Sequence, residues 1–280
     1  MKIDCHIHSL CSDGVYPVSK LISLLKKEQI TGFSITDHDT VDGIKEARCL
    51  SEHHMEFVTG IEITCREMTS NPIKQSFSMH LLGYGFDENN AQLRTQLEIK
   101  KNKVIKMFDT LCDDITNLGY PIKRSESPIS CGNVLQFCDV IEDVRSRYPN
   151  ANHHVFALID AFHPKLNDCN LPVETAIALI HQAKGKAVWA HPFCVYRNFK
   201  KIGLNRQEIS MMISELKSIG LDGIETYYAA FGEEDQAWLH TLAQKENLME
   251  TAGSDFHGSK GRSQIGVDAD ITLFSNKDSQ

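Results

Sequence analysis

The chain lacks the long apolar runs and the paired cysteines that mark several classes of protein. Over its 280 residues, no stretch approaches the roughly 18 consecutive apolar residues of a membrane helix. No apolar segment precedes a small-residue cleavage site near the first residues, so we expect no secretory signal. The nine cysteines are an odd number without CxxC spacing, which favours reduced thiols over a disulfide framework. We therefore expect a cytoplasmic protein that contacts no membrane.

Basic residues are also scarce. The chain has 29 lysine and arginine residues against 37 aspartate and glutamate residues, which gives a formal net charge of −8. An acidic chain does not coat nucleic acid by its overall charge, so we expect no stable binding to duplex DNA. The charge leaves open an enzyme that binds a phosphate ester through metal ions.

Histidine, in contrast, is abundant, with 13 residues. It is the most common metal ligand and the most common acid–base residue of proteins. His6 and His8 are two residues apart on an extended segment, so their side chains point to the same side. Asp255 and His257 repeat this spacing near the other end of the chain. These pairs predict a site with more than one metal ion, in which a carboxylate such as Glu62 bridges two ions.

Short apolar runs alternate with helical patterns, which is typical of a mostly parallel α/β sheet or barrel. Seven strands are predicted, at residues 3–5, 32–36, 57–63, 77–84, 186–190, 223–226 and 250–253. The alternation stops between the fourth and fifth strands, where helical spacing predominates. We therefore predict a discontinuous α/β domain, residues 1–86 and 171–280, and a helical insertion, residues 87–170.

Polar side chains follow the carboxyl ends of the predicted strands. In a parallel barrel or sheet these ends meet at one edge, where active sites are built. The candidate site residues at this edge are His6, His8, Asp13, His38, Glu62, His80, His191, Asp255 and His257. Because Asp37 and Asp39 flank His38 closely, we expect them to orient a histidine rather than to bind an ion. Glu225 fits either this site or a layer of the barrel.

These residues occur in motifs that, taken in order along the chain, resemble the PHP (polymerase and histidinol phosphatase) family. The motifs are Asp4-Cys-His6-Ile-His8, Ser12-Asp13-Gly14, Thr36-Asp37-His38-Asp39, Gly60-Ile61-Glu62, His80-Leu-Leu-Gly83-Tyr84, Ala190-His191-Pro192 and Gly253-Ser-Asp255-Phe-His257-Gly258. The resemblance implies a distorted seven-stranded (β/α) barrel with a helical insertion after the fourth strand.

The resemblance also implies a site for two or three divalent ions, and mixed imidazole and carboxylate ligands suit Mn, Zn or Fe. A hydroxide bridging two ions would attack phosphorus, with Asp13, His191 and Asp255 as the catalytic residues. The implied ligand sets are His6, His8, Glu62 and Asp255 for one ion; Glu62, His80 and His191 for a second; and Asp13, His38 and His257 for a third.

The insertion resembles that of the nucleotide branch of the family, which includes AMP and nucleoside 3′,5′-bisphosphate phosphatases and 5′-to-3′ exoribonucleases. The expected partner is therefore a small phosphate ester or a short oligonucleotide. That branch usually carries an Arg-x-His-like stretch in the insertion, and residues 129–135 here contain neither arginine nor histidine. We predict Arg262 and Arg197 as substrate-binding residues instead; other candidates are Arg124, Arg145, His153, His154 and His163.

Four lysines of the insertion, at positions 100, 101, 103 and 106, either guide an oligonucleotide or form a solvated helix face. Three functions are left open by the sequence. The first is metal-dependent hydrolysis of a nucleotide or of the 5′ end of short RNA. The second is a phosphatase for a non-nucleotide monoester such as histidinol phosphate. The third is a non-catalytic module that uses the PHP fold as a scaffold.

Overall fold

The computed structural model of the chain describes residues 1–51, 55–124, 135–197, 200–258, 264–269 and 271. These residues form a mixed α/β fold whose strands are mostly parallel. The strands are β1 (Lys2–Asp4), β2 (Gly32–Phe33), β3 (Glu56–Phe57), β4 (Gly60–Arg66), β5 (Phe77–Tyr84), β6 (Leu171–Pro172), β7 (Lys186–Trp189), β8 (Tyr196–Arg197), β9 (Lys200–Lys201), β10 (Gly223–Tyr228), β11 (Met249–Gly253) and β12 (Val267–Asp268).

The helices of the described residues fall into two groups, with five in the α/β portion (residues 1–86 and 171–280) and four in the helical segment (residues 87–170). The first group is α1 (Val18–Lys27), α2 (Ile44–Leu50), α7 (Val173–Gln182), α8 (Arg206–Ser218) and α9 (Glu233–Glu246). The second group is α3 (Ala91–Asn117), α4 (Phe137–Arg147), α5 (His153–Asp160) and α6 (His163–Cys169).

Two sheets lie in the α/β portion. The first has the order β12-β1-β2-β3, with β1, β2 and β3 parallel and β12 antiparallel to β1. The second has the order β11-β10-β7-β5-β4-β6, in which β5 is antiparallel to both of its neighbours, β4 and β7. The short strands β8 and β9 extend this sheet from one end of β5.

The α/β fold of the prediction is confirmed, but its distorted seven-stranded (β/α) barrel is not seen as a closed sheet, because the two sheets do not join into a continuous ladder over the described residues. Single bridges connect them, between Ile7 and Phe256 and between His38 and Glu62. The strands β1 and β2 have only three and two residues, since the chain leaves the ladder where the polar site residues begin. Among the described residues five strand pairs are parallel and five are antiparallel, although most strands of each sheet run in one direction, as the sequence predicts. The antiparallel β5 was not expected.

The strand predicted over residues 57–63 is divided into β3 and β4. Gly60 begins β4 at a point where a Cβ would lie 2.0 Å from Ser34 Oγ, so only glycine allows this approach between the two sheets. This contact brings the start of β4 against the segment that follows β2. It therefore helps to place Glu62 beside His38.

The helical segment has a hydrophobic cluster of its own. Its fully buried members include Phe108, Leu111, Val140 and Ile159. The first half of α3 packs differently, since Leu93 and Leu97 belong to the large core of the α/β portion. The long helix α3 therefore joins the two cores. No helix of the described residues is both long and apolar enough to cross a membrane.

Candidate metal centre and its cavity

The nine predicted ligands lie together where the ends of the two sheets meet. Three groups form, and within each group one ligand atom from every residue lies within 4.8 Å of the others. The groups are His6, His8, Glu62 and Asp255; His38, Glu62 and His80; and His8, Asp13, His38 and His257. His191 is also present, because its Nε2 atom is 3.2 Å from Glu62 Oε1.

Glu62 occupies the centre of this cluster and is fully buried on β4. Five imidazoles surround its carboxylate. Oε2 is 3.1 Å from His6 Nε2, 3.1 Å from His8 Nε2 and 3.3 Å from His38 Nδ1, while Oε1 is 2.9 Å from His80 Nδ1 and 3.2 Å from His191 Nε2. A carboxylate with its two oxygens facing different histidines is suited to bridge two cations.

Two further carboxylates lie on opposite sides of His8. Asp255 Oδ1 is 3.1 Å from His8 Nε2, and Tyr228 donates a hydrogen bond to Asp255 Oδ2 at 2.9 Å. Asp13 Oδ2 is 3.2 Å from His257 Nε2. His8 thus stands between two carboxylates, each of which has a second partner that fixes its orientation.

Several ligand atoms are buried without a hydrogen-bond partner among the described residues. They are His6 Nε2, both ring nitrogens of His8, His38 Nδ1, His191 Nδ1 and Glu62 Oε2. Buried polar atoms are normally satisfied, so a concentration of unsatisfied ones needs an explanation. Divalent cations would satisfy these atoms, because imidazole nitrogen and carboxylate oxygen are the ligands that Zn, Mn and Fe accept. The residues present therefore fit the metal ions that the sequence predicts.

Burial and neighbouring charge act in opposite directions on the pKa values of the cluster. Burial disfavours the charged form of His8, but the carboxylates of Asp255 and Glu62 raise its pKa to about 10. Burial outweighs the attraction of nearby carboxylates at His38 and, with help from the neighbouring imidazole of His8, lowers its pKa to about 3. Burial opposes the charge of Glu62 too, yet the histidines hold its pKa well below the usual range. Protons and metal ions thus compete for the same atoms.

Close backbone packing brings the loops of the cluster together. A Cβ on Gly14 would lie 2.2 Å from the His8 carbonyl oxygen, so glycine at this position lets the loop that carries Asp13 fold back onto His8. His191 and Asp255 both have positive φ, at 29° and 54°, an uncommon conformation for residues other than glycine. Such strain occurs where the surrounding structure fixes a functional side chain.

Glu225, which the sequence left between this site and a layer of the barrel, supports the cluster from β10. Its Oε1 lies 2.9 Å from His6 Nδ1, and its Oε2 accepts a hydrogen bond from the backbone N–H of His191 at 2.8 Å. A carboxylate on the second nitrogen of a metal-binding imidazole fixes the tautomer and the ring orientation. Its position near the end of the strand predicted over residues 223–226 was the available signal.

The prediction that Asp37 and Asp39 orient a histidine ring is replaced by different contacts. Asp37 accepts hydrogen bonds from the N–H and Oγ of Ser9 and from Ser12 Oγ, at 2.6–2.7 Å, and so holds the loop between His8 and Asp13. Asp39 accepts from the N–H of Thr64 and pairs with Lys100. Both carboxylates act on the backbone of segments that carry ligands.

A cavity of about 680 Å³ opens onto the cluster between the α/β portion and the helical segment. Several of the residues that line it from the helical segment were not predicted from the sequence, because only the packing of α3 and α4 brings them there. They are Arg94, Leu97, Glu98, Val104, Gln136 and Phe137, together with Lys100 and Lys101, which the sequence left between two interpretations. Gln136 donates a hydrogen bond to Asp13 at 3.0 Å and so links α4 directly to the cluster.

Most of the described residues that were predicted to bind substrate do not line the cavity. Arg197 pairs with Glu208 and does not line the cavity, while Arg262 lies outside the described residues. Arg124 pairs with Asp109, and Arg145 lies over the ring of Phe156. Among the three histidines considered as substrate contacts, the rings of His153 and His154 contact each other at a tilt of 37°, and only His163 lines the cavity.

Comparison with known proteins agrees with this geometry. The chain is 25% identical to a 5′-3′ exoribonuclease of Haemophilus influenzae, covering 96% of this chain and 95% of that protein. It is 24% identical to a phosphoribosyl 1,2-cyclic phosphate 1,2-diphosphodiesterase of Eggerthella lenta, covering 92% and 95%. It is 23% identical to a 3′,5′-nucleoside bisphosphate phosphatase of Chromobacterium violaceum, covering 96% and 92%.

Solved structures share the fold. One from Chromobacterium violaceum, described as an amidohydrolase with bound sulfate and no metal, has a TM-score of 0.73 at 20% identity, covering 95% of this chain and 91% of that one. The PHP domain model matches residues 4–250, which is most of the chain. This match and the arrangement of the nine side chains lead to one conclusion: the chain belongs to the PHP domain family of metal-dependent phosphoesterases.

Proposed function

We propose that this protein hydrolyses a phosphate ester of a nucleotide, of the AMP or 3′,5′-bisphosphate type, or the 5′ end of a short RNA. The observation that carries the proposal is the buried His/Asp/Glu cluster at the base of a cavity of about 680 Å³ that the helical segment covers. In this proposal the nine side chains hold two or three divalent ions, and residues 87–170 act as a cap subdomain that selects the substrate.

The proposed metal ions are Mn, Zn or Fe, since the ligands are imidazoles and carboxylates. Bound at this site, such ions supply an activated water and neutralise the charge on the phosphoryl oxygens. Glu62 and His8 would hold the ions close to one another. Asp13, His191 and Asp255 would act at the reacting group, and Tyr228 would keep Asp255 in place through its hydrogen bond.

Tyr228 is suited to this role because it stays protonated. Burial and the charge of Asp255 raise the pKa of its hydroxyl well above the ordinary value. It therefore donates to Asp255 at any physiological pH. Tyr228 also lines the cavity that substrate would occupy.

The size and lining of the cavity favour a nucleotide over a small monoester. Apolar side chains of the helical segment, including Leu97, Val104 and Phe137, face the same space as the cluster. A nucleobase has an apolar face that such residues accept, and Arg94 and Lys101 supply positive charge for a second phosphate or for the backbone of an oligonucleotide. Histidinol phosphate would leave much of this volume empty.

The relatives support the same substrate class. Two of the proteins compared above are named for action on RNA or on a nucleoside bisphosphate. The third is named for a cyclic phosphate of phosphoribose, which has no base. That compound therefore belongs in the test, because it separates recognition of a base from recognition of a sugar phosphate.

The test is a panel of substrates with the Mn-loaded full-length protein. The panel contains AMP, a nucleoside 3′,5′-bisphosphate, a short 5′-phosphorylated RNA, histidinol phosphate and phosphoribosyl 1,2-cyclic phosphate. We expect kcat/KM for the best of the three nucleotide substrates to exceed that for histidinol phosphate at least about tenfold, a difference of roughly 1.4 kcal/mol.

The matched control is His8→Ala, which removes a ligand of two of the three groups and should abolish hydrolysis. Activity that persists in this variant would come from a contaminant and would count against the proposal. A preference for histidinol phosphate would favour the monoester phosphatase. Absence of hydrolysis for every substrate, in protein that retains bound metal, would favour the scaffold.

A further inference from the structure

One lysine of the helical segment differs from its neighbours in sequence. Of the four lysines on this part of α3, Lys101, Lys103 and Lys106 are exposed, as a solvated helix face requires. Lys100 is only 3% exposed. A buried ammonium loses its hydration, so it persists only where specific partners replace the water.

Lys100 has two such partners, and both belong to the α/β portion. Its Nζ atom lies 2.7 Å from Asp39 Oδ2 and donates a hydrogen bond to the carbonyl oxygen of Thr64 at 2.6 Å. Asp39 Oδ1 in turn accepts a hydrogen bond from the N–H of Thr64 at 3.2 Å. The ion pair therefore holds Thr64 through both its N–H and its carbonyl oxygen.

These contacts act on three segments that carry ligands. Asp39 directly follows His38, has a φ of 54°, and donates its backbone N–H to the carbonyl oxygen of Glu62 at 2.9 Å. Thr64 is two residues beyond Glu62 on β4 and is paired with His80 across the hairpin. His38, Glu62 and His80 are the members of one of the three groups that could share a metal ion.

We propose that Lys100 is a positioning residue for this group. Its ammonium fixes Asp39 and Thr64, and these residues set the backbone from which His38 and His80 project. The helical segment would then act on metal affinity as well as on the substrate. This inference rests on the proposed metal-binding role of the cluster, and it assigns to Lys100 no contact with substrate.

The test compares Lys100→Met with Lys103→Met in the full-length protein. Methionine keeps the length of the buried chain and removes the charge, and Lys103 is an exposed lysine on the same helix that does not line the cavity. Mn²⁺ binding is measured by calorimetry and by metal content after dialysis, and kcat and KM are measured with the best substrate of the panel.

We expect Lys100→Met to weaken the binding of one Mn²⁺ ion about 10-fold or more, within the 10–100-fold range for residues that orient ligands. Lys103→Met should match the wild type. At saturating Mn²⁺, Lys100→Met should regain most of its kcat, because added metal compensates for a misplaced ligand.

If Lys100→Met does not fold, the double variant Lys100→Met/Asp39→Asn leaves no unpaired buried charge, and asparagine accepts the positive φ of this position. The same loss of Mn²⁺ affinity is expected in it. Wild-type Mn²⁺ affinity in the folded variant would overturn the inference. A higher KM with unchanged Mn²⁺ affinity would also overturn it, since Lys100 would then contact substrate. A wild-type protein that binds no metal would overturn the proposed function itself.

Discussion

The α/β portion and the helical segment bury side chains of different kinds. The α/β portion places six histidines and three carboxylates in a single cluster, and several of their nitrogen and oxygen atoms have no hydrogen-bond partner among the described residues. The cluster of the helical segment is built from apolar side chains such as Phe108 and Leu111, which lie against one another and need no ligand. Unsatisfied buried polar atoms destabilise a fold, whereas packed apolar atoms stabilise it. Both regions have an apolar core, and the comparison indicates that the α/β portion in addition carries the candidate metal ligands.

The largest effect is expected from removing the charge of Glu62, which tests whether the cluster binds metal. Glu62→Gln keeps the shape of the side chain but replaces one oxygen of the carboxylate, which is proposed to bridge two ions, by an amide nitrogen. Because a bound metal ion contributes several kcal/mol of transition-state stabilisation, we expect kcat/KM to fall roughly 10³–10⁴-fold, about 4–5 kcal/mol. The measurement is kcat/KM together with Mn²⁺ content by elemental analysis.

Far-UV circular dichroism of Glu62→Gln is the control, and it should match that of the wild type. A variant that keeps both its Mn²⁺ and its activity would show that Glu62 is a structural residue of β4. Glu62 would then give no reason to assign the chemistry of the protein to the α/β portion.

A pair of phenylalanines compares the two regions directly. Phe33 in the α/β portion and Phe108 in the helical segment are both fully buried, and each has an aromatic neighbour, Phe57 or Phe137, with ring centroids 5.2 Å apart. Each change to alanine should lower the free energy of unfolding by about 3–5 kcal/mol, because it removes a large side chain from a packed core. Denaturant unfolding measures this loss.

The two variants should differ in metal binding. Phe33 ends β2, just before the segment that carries His38, so Phe33→Ala should also weaken Mn²⁺ binding. Phe108→Ala should keep Mn²⁺ affinity within about a factor of three of the wild type, the spread expected for a distant site. Equal losses of Mn²⁺ affinity in both variants would show that the two cores form one cooperative unit.

The smallest expected effect concerns the charged side chains that the helical segment presents to the cavity. Lys101→Met and Arg94→Met should each raise KM for a nucleoside 3′,5′-bisphosphate about fivefold, while KM for AMP changes less, because AMP has one phosphate fewer. Loss of one charge-assisted hydrogen bond corresponds to about 1 kcal/mol at an exposed position.

The matched control is Glu98→Gln, which removes a negative charge from a residue that lines the same cavity. It should leave KM for the bisphosphate unchanged or lower it. If all three variants raise KM equally for both substrates, the effect is on the shape of the cavity and not on recognition of a second phosphate.

Much of the site was accessible from the sequence because its residues follow strands with recognisable patterns. His6 and His8 after β1, Glu62 on β4, and Asp255 and His257 after β11 all occur where short apolar runs end. Residues that act through contacts distant in sequence were not accessible in this way. Glu225 lies 219 positions from His6, so the sequence could only leave it between this site and a layer of the barrel.

The fold was predicted in part for a similar reason. Alternation of apolar runs and helices predicts an α/β fold with mostly parallel strands, and the structure has one. Alternation does not reveal strand direction, so the antiparallel position of β5 between β4 and β7 was missed. The failure of the two sheets to close was missed as well, because it depends on the short ladders of β1 and β2.

The sequence by itself determined the chemistry: which residues are able to bind metal, the order of their motifs and the PHP family to which they belong. Ligand type and spacing are local properties of the chain, and they persist whatever the detailed packing. The tertiary structure alone decided which charges surround the cluster. Lys100 and Lys101 are neighbours with the same side chain, and both line the cavity, yet Lys100 is buried against Asp39 and Lys101 is exposed. The rotation of α3 against β4 separates them, and that rotation follows from packing between segments far apart in sequence.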